Sequence, residues 1–276
     1  MVARVARILS LDVVLGACVS TWFVAKIAQV PLNIISTVAL ALCVWLIYTA
    51  DHLRDAFRLS HEAHTPRHQF HQKYFRPIMA AFLLTAMAGA GLLFYLPIPV
   101  VEWGLWLIGL VGLYFLVSQI APVQLVMPKE LMIALLYSSG IFLPIAAQLT
   151  TITPELVVLF IQYAALALMN LVIFSWYEHD SDQLDFAHSL ATQYGKRRAK
   201  QLVMLCTAGI IVSVLWSGFL FSDDTSFLFA QLLILMMTGL LLVILVRPRF
   251  FGQYERYRWF GDGVFLLPIL MSLFAS

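Results

Sequence analysis

The chain has 276 residues, 62% of them apolar and 12% charged, with a formal net charge of +2. A soluble domain carries roughly 25% charged residues, so composition excludes an ordinary water-soluble enzyme. The net charge says little by itself and its distribution says more; no nucleic-acid partner is expected.

Apolar runs near twenty residues recur along the whole length. They predict an all-α polytopic membrane protein in which residues 1–276 form a single transmembrane domain. Arg4 and Arg7 precede the first run, and Asp12 interrupts it. Its apolar character continues past the place where a signal peptide would be cut, which predicts an uncleaved first helix. Cys18, Cys43 and Cys206 sit inside apolar runs without paired spacing and read as small core residues.

Nine spans are expected, at roughly 8–28, 33–50, 77–97, 99–119, 130–149, 154–177, 199–220, 226–246 and 257–275. Pro31, Pro77, Pro97, Pro99 and Pro154 punctuate the junctions. With the N-terminus in the cytoplasm, every one of the 17 basic residues except Lys26 falls on the cytoplasmic side. That bias predicts an integral membrane protein, placed in a bacterial inner membrane, with its polar segments 48–76 and 177–200 both facing the cytoplasm.

The first polar segment continues the second span as YTADHLRDAFR. Asp51 and Asp55 are four apart and share one helix face. Two carboxylates so placed can take Mg²⁺, a hard cation that keeps phosphate oxygens as partners. Arg54 and Arg58 flank that face; the plainer reading is a solvated helix end with Asp–Arg pairs. His61, His64, His68 and His71 follow. Their spacing could ligate a transition metal in a histidine-dependent iron oxygenase, but Pro66 breaks any helix between His64 and His68. A headgroup-level loop is the plainer account.

Lys129 is the one basic residue between the fourth and fifth spans, either a topology anchor or a point charge for a diphosphate. Asn170, two turns before Glu178 in the sixth span, faces the bundle interior as a polar membrane residue usually does.

The second polar segment, Trp176 to Lys200, opens with Glu178, Asp180, Asp182 and Asp185 and closes with Lys196, Arg197, Arg198 and Lys200. Glu178 and Asp182 repeat the spacing of Asp51 and Asp55, four spans later on the same side. Two such pairs across one cavity could hold two Mg²⁺ ions on a diphosphate and help it leave.

These patches resemble the UbiA superfamily of intramembrane prenyltransferases. That family has nine helices, an N-D-x-x-D-x-x-x-D motif after the second and a D-x-x-x-D motif after the sixth. Asp51 and Asp55 fit the last two acids of the first motif, and Asp182 fits the last acid of the second. Ser189, Gly195 and Ala199 then fall at the family's Thr, Gly and Ala places without a gap, and Lys129 fits its single Lys. The chain departs at Ile47 and Tyr48, which replace the leading Asn-Asp. Glu178 replaces an Asp, Phe186 a Gly, and Leu125 a frequent Tyr.

The resemblance implies transfer of an isoprenyl group from an isoprenyl diphosphate to a lipophilic or aromatic acceptor, within membrane lipid. Asp51, Asp55, Glu178 and Asp182 would hold Mg²⁺, and Arg54, Arg67, Lys129 and Lys196 the diphosphate. Asp180, Asp185, Asn170 or His68 would compensate for the missing Asn-Asp. The alternative is a non-catalytic lipid-binding or transport protein on the same scaffold. In the last spans, Arg247, Arg249, Arg256 and Arg258 read as positive-inside anchors. Asp262, between Gly261 and Gly263, is a candidate for orienting an acceptor or pairing with an arginine.

Overall fold

A computed structural model describes residues 6–58, 66–120, 128–185 and 188–273. Among them the secondary structure is helical. The long helices are α1 (Leu11–Ile27), α2 (Ile34–Arg58), α3 (Phe75–Leu92), α4 (Ile98–Ile120), α5 (Lys129–Ala146), α6 (Pro154–Leu184), α7 (Lys196–Leu220) and α8 (Thr225–Val246). After them come α9 (Arg256–Gly263) and, continuing it, a 3₁₀ helix over Val264–Leu273.

Among the described residues, six segments are long and apolar enough to cross a membrane: Ile34–Arg54, Phe75–Tyr95, Lys129–Ala146, Pro154–Leu184, Lys196–Leu220 and Thr225–Val246. The other three expected spans coincide with α1, α4 and the α9 segment, which are shorter in apolar helix or interrupted. The expected ninth span is interrupted for a local reason. Gly261 and Gly263 weaken the helix, and Pro268 lacks the N–H that an α-helix would use.

Helix α6 is the axis of the bundle. It packs against α5, α7 and α8 and buries Leu159, Tyr163, Leu166, Met169, Val172 and Ile173. At 31 residues it is about 46 Å long, against a hydrocarbon core of about 30 Å. Its last seven residues, beginning at Glu178, therefore project beyond the expected span.

Several polar groups inside the bundle pair with one another, as a medium without water favours. Gln162 donates to Gln231 at 2.7 Å and Gln231 donates back at 3.2 Å, with Ser217 joining Gln231 at 3.2 Å. Thr21 on α1 donates to the Ile141 carbonyl of α5 at 3.0 Å.

Helices α3 and α4 differ from this core. They leave Leu83, Leu84, Met87, Trp103, Trp106 and Leu113 exposed. Apolar faces of this extent belong against lipid tails, and with the six apolar helices they make this an integral membrane protein.

The turn before α9 is anchored to the residues before α1. Tyr254 and Glu255 take left-handed conformations (φ 53° and 52°) to turn the chain sharply before α9. Arg7 grips that turn, donating to the Glu255 carboxylate at 2.6 Å, and lies over the Trp259 ring at 4.9 Å.

Candidate functional site

The two acidic motifs open onto one cavity of about 190 Å³. Asp51 and His52 reach it from α2, Lys129 and Glu130 from α5, and Asn170, Glu178 and Asp182 from α6. Ser189 comes from the following loop, and Arg258 and Asp262 from α9. Val13, Ile133, Tyr137, Ala167, Leu171, Phe174 and Phe265 supply the apolar wall. Projection of α6 past the expected span puts its charged turns at the mouth, and Asn170 lies about 12 Å deeper along the axis.

On the α2 side, Lys129 donates to Asp51 at 2.8 Å, and Arg54, one turn on, lies 3.7 Å from the same carboxylate. The Lys129 pairing joins α5 to α2 across the cavity. On the α6 side, Glu178 accepts from the Tyr257 hydroxyl at 2.7 Å and forms an ion pair with Arg258. Arg258 also lies over the ring of Phe174, and Tyr257 stacks face to face on Tyr177 at 4.4 Å. The α9 segment can approach α6 so closely because position 261 is glycine. A Cβ there would stand 2.3 Å from Asn170 Oδ1 and 2.7 Å from the Phe174 ring.

Asp182 lies one turn beyond Glu178. Burial and then the neighbouring Glu178 charge raise its pKa to about 7, opposed by the Ser189 hydroxyl and Arg258. A divalent cation between these acids would remove that like-charge conflict. Deeper in, Asn170 donates to Asp262 at 3.2 Å, so the carboxylate of α9 is held against α6.

The loop after the second motif is fixed to the site by its backbone. Ser189 caps the short helix Leu190–Tyr194 by accepting from Thr192 N–H. Glu130 accepts the Leu190 N–H at 2.6 Å, and Ser175 accepts that of Ala191 at 2.8 Å.

The structure thus brings Asp51, Lys129, Glu178, Asp182 and Asn170 to one cavity. It does not bring Lys196 there. Lys196 donates to Asp180 at 3.2 Å, and the Asp180 side chain is 81% exposed. Local pairing explains this: Lys196 starts a new helix beside the outer flank of α6 and lies over Trp176. Asp180, Asp185 and Arg54 also lie outside the cavity lining, and Arg54 lies 3.7 Å from Asp51, which lines it. The side chains of Asp55, Arg67 and His68 lie outside the described residues, as do His61, His64, Leu125 and Phe186.

Among the described residues, no three His, Cys, Asp or Glu side chains are grouped as a ready-made metal cage. Two functional candidates escaped the sequence reading. Arg258 was expected as an anchor and is instead the counterion of Glu178. Glu130, beside Lys129, carried no signal beyond a lone acid at a helix start.

No protein-family sequence model matches the chain, and no curated protein sequence matches it. Solved structures do. An apo UbiA homolog from Aeropyrum pernix K1 superposes with a TM-score of 0.68 at 10% identity, over 95% of this chain and 97% of the other. A digeranylgeranylglyceryl phosphate synthase superposes with a TM-score of 0.52 at 13% identity, over 96% of this chain and 92% of the other. The chain therefore has the UbiA fold, an all-helical membrane bundle, in a sequence far diverged from both structures.

Proposed function

We propose that the protein is an intramembrane prenyltransferase that takes an isoprenyl diphosphate as donor and a lipophilic acceptor. The observation that carries this reading is the shared cavity. Two carboxylate clusters, far apart in sequence, meet with Lys129 and Arg258 over an apolar wall. A prenyl diphosphate has the same division, a polyanionic head on a greasy chain. At about 190 Å³ the cavity is smaller than the roughly 300–1,000 Å³ of drug-sized ligand pockets. It suits the head, and the prenyl chain would leave it toward lipid. By the positive-inside rule the mouth faces the cytoplasm, which in a bacterium is the inner face of the inner membrane.

Asp51, Glu178 and Asp182 would hold Mg²⁺, which when bound neutralises the departing diphosphate. Lys129 would hold diphosphate oxygens once the cation occupies its present carboxylate partner, while Arg258 keeps its pairing with Glu178. The allylic C–O bond breaks with its electron pair going to diphosphate. A nucleophilic atom of the acceptor then bonds to the allylic carbon and gives up its proton. Asp262, held by Asn170, would orient that acceptor. The phenyl-lined wall excludes water from the electron-poor carbon. The test is diphosphate release from allylic diphosphates of several lengths by purified folded protein with Mg²⁺. Release that needs Mg²⁺ is expected; none from any donor overturns the reading.

One observation favours a second reading, a non-catalytic lipid-binding or transport protein. Asp51 and Glu178 already have cationic partners within the chain. On that reading Asp51→Asn and Asp182→Asn leave function in cells intact.

A further inference from the structure

The cavity contains a carboxylate that belongs to neither acidic motif. Glu130 is 7% exposed and lines the cavity. Its Oε1 accepts the Leu190 N–H at 2.6 Å. Its Oε2 is buried and has no hydrogen-bond partner among the described residues. A buried carboxylate oxygen left unsatisfied is costly, and the cap on Leu190 needs only the other oxygen. A neutral glutamine could supply that cap without the cost of a buried charge.

The position of Glu130 is as informative as its orphan atom. Its neighbour Lys129 holds Asp51, the first half of the site. Its own Oε1 holds Leu190, next to Ser189, whose hydroxyl bonds Asp182 in the second half. Glu130 therefore stands between the two halves. Where the family resemblance calls for a leading Asn-Asp, this chain has Ile47 and Tyr48, which offer no carboxylate.

We propose that Glu130 is a cation-holding residue of this cavity, supplying with Asp182 the oxygen ligands that the first motif lacks. The ligand is a hard divalent cation, Mg²⁺, carrying oxygens of a diphosphate. Mg²⁺ binds through one or two carboxylates plus phosphate oxygens, not in an all-protein cage. That fits a site where no cage of three is preformed among the described residues. This inference rests on the prenyl-diphosphate reading.

The experiment measures Mn²⁺ binding to the full chain in detergent by electron paramagnetic resonance of the free ion, with and without inorganic diphosphate. Glu130→Gln keeps a carbonyl oxygen for the Leu190 N–H and removes the charge. Its thermal unfolding is expected to match that of the unaltered protein, while its Mn²⁺ affinity with diphosphate present falls at least tenfold. Glu130→Asp keeps the charge and is expected to bind Mn²⁺ within about threefold of the unaltered protein. Equal Mn²⁺ binding by the unaltered and Gln forms would show Glu130 to be a helix cap only and overturn the inference. An equal loss in the Asp and Gln forms would overturn it too. Mn²⁺ and diphosphate failing to bind the unaltered protein would overturn the prenyltransferase reading as well, so the two failures are distinct.

Discussion

The two halves of the site neutralise their carboxylates in different ways. On the α2 side, Asp51 is met by Lys129, a flexible point charge whose side chain is one-third exposed, with Arg54 at longer range. On the α6 side, Glu178 is enclosed by Arg258 and Tyr257, and those two are stacked on Phe174 and Tyr177. The first pairing can exchange more readily, because the lysine is the more exposed cation and reorients freely. The second is part of the packing between α6 and α9. One half is thus suited to capturing a ligand, and the other to holding the frame against which the ligand is captured.

Arg258→Ala should break this contrast most severely. It leaves Glu178 buried without its main counterion, a loss of about 3–5 kcal/mol, seen as a large drop in unfolding temperature in detergent. A double change of Glu178 and Arg258 to methionine should recover much of that stability while leaving the protein inactive. If Arg258→Ala alone unfolds no more easily than the unaltered protein, the framing role assigned to α9 is wrong.

Gly261→Ala tests the same frame without touching charge. The added methyl meets Asn170 and Phe174 at distances real side chains do not tolerate. A destabilisation of about 1–3 kcal/mol is expected from the forced shift, with weaker acceptor use as Asp262 moves.

Lys129→Ala should show the opposite profile. Stability should change by less than about 1 kcal/mol. Diphosphate affinity, measured by competition with a thio-diphosphate analogue, should fall about ten- to a hundredfold, the value of hydrogen bonds to a charged group. Arg54→Ala should have the smallest effect, within about 0.5 kcal/mol in stability, since its pairing is long and partly exposed.

What the sequence revealed follows from the range of the interactions. The helical spans and the Asp51 and Glu178–Asp182 motifs were legible, because apolar length and four-residue spacing are local signals. The shared cavity was also legible, because the positive-inside bias placed both motifs on one side. The pairing of Glu178 with Arg258 was not, because about eighty residues separate them and an arginine near a membrane end looks like any anchor. Lys196 misled for a related reason: its place after the second motif fixed which helix it began, but not which flank of α6 it would face. The Leu190 N–H bond of Glu130 depends on a loop conformation that no periodicity reports. The break in the ninth expected span was written in Gly261, Gly263 and Pro268, though length and hydropathy alone passed over it.

The turn at Tyr254 and Glu255, gripped by Arg7, has a consequence for biosynthesis. The ribosome makes Glu178 well before Arg258, so the acid must wait at the membrane surface for its partner. When α9 arrives, a left-handed turn costs of order 1 kcal/mol per residue, and Arg7, made long before it, offsets that cost. A stretch made early thus locks one made late into place, and the cavity is completed only when α9 has docked.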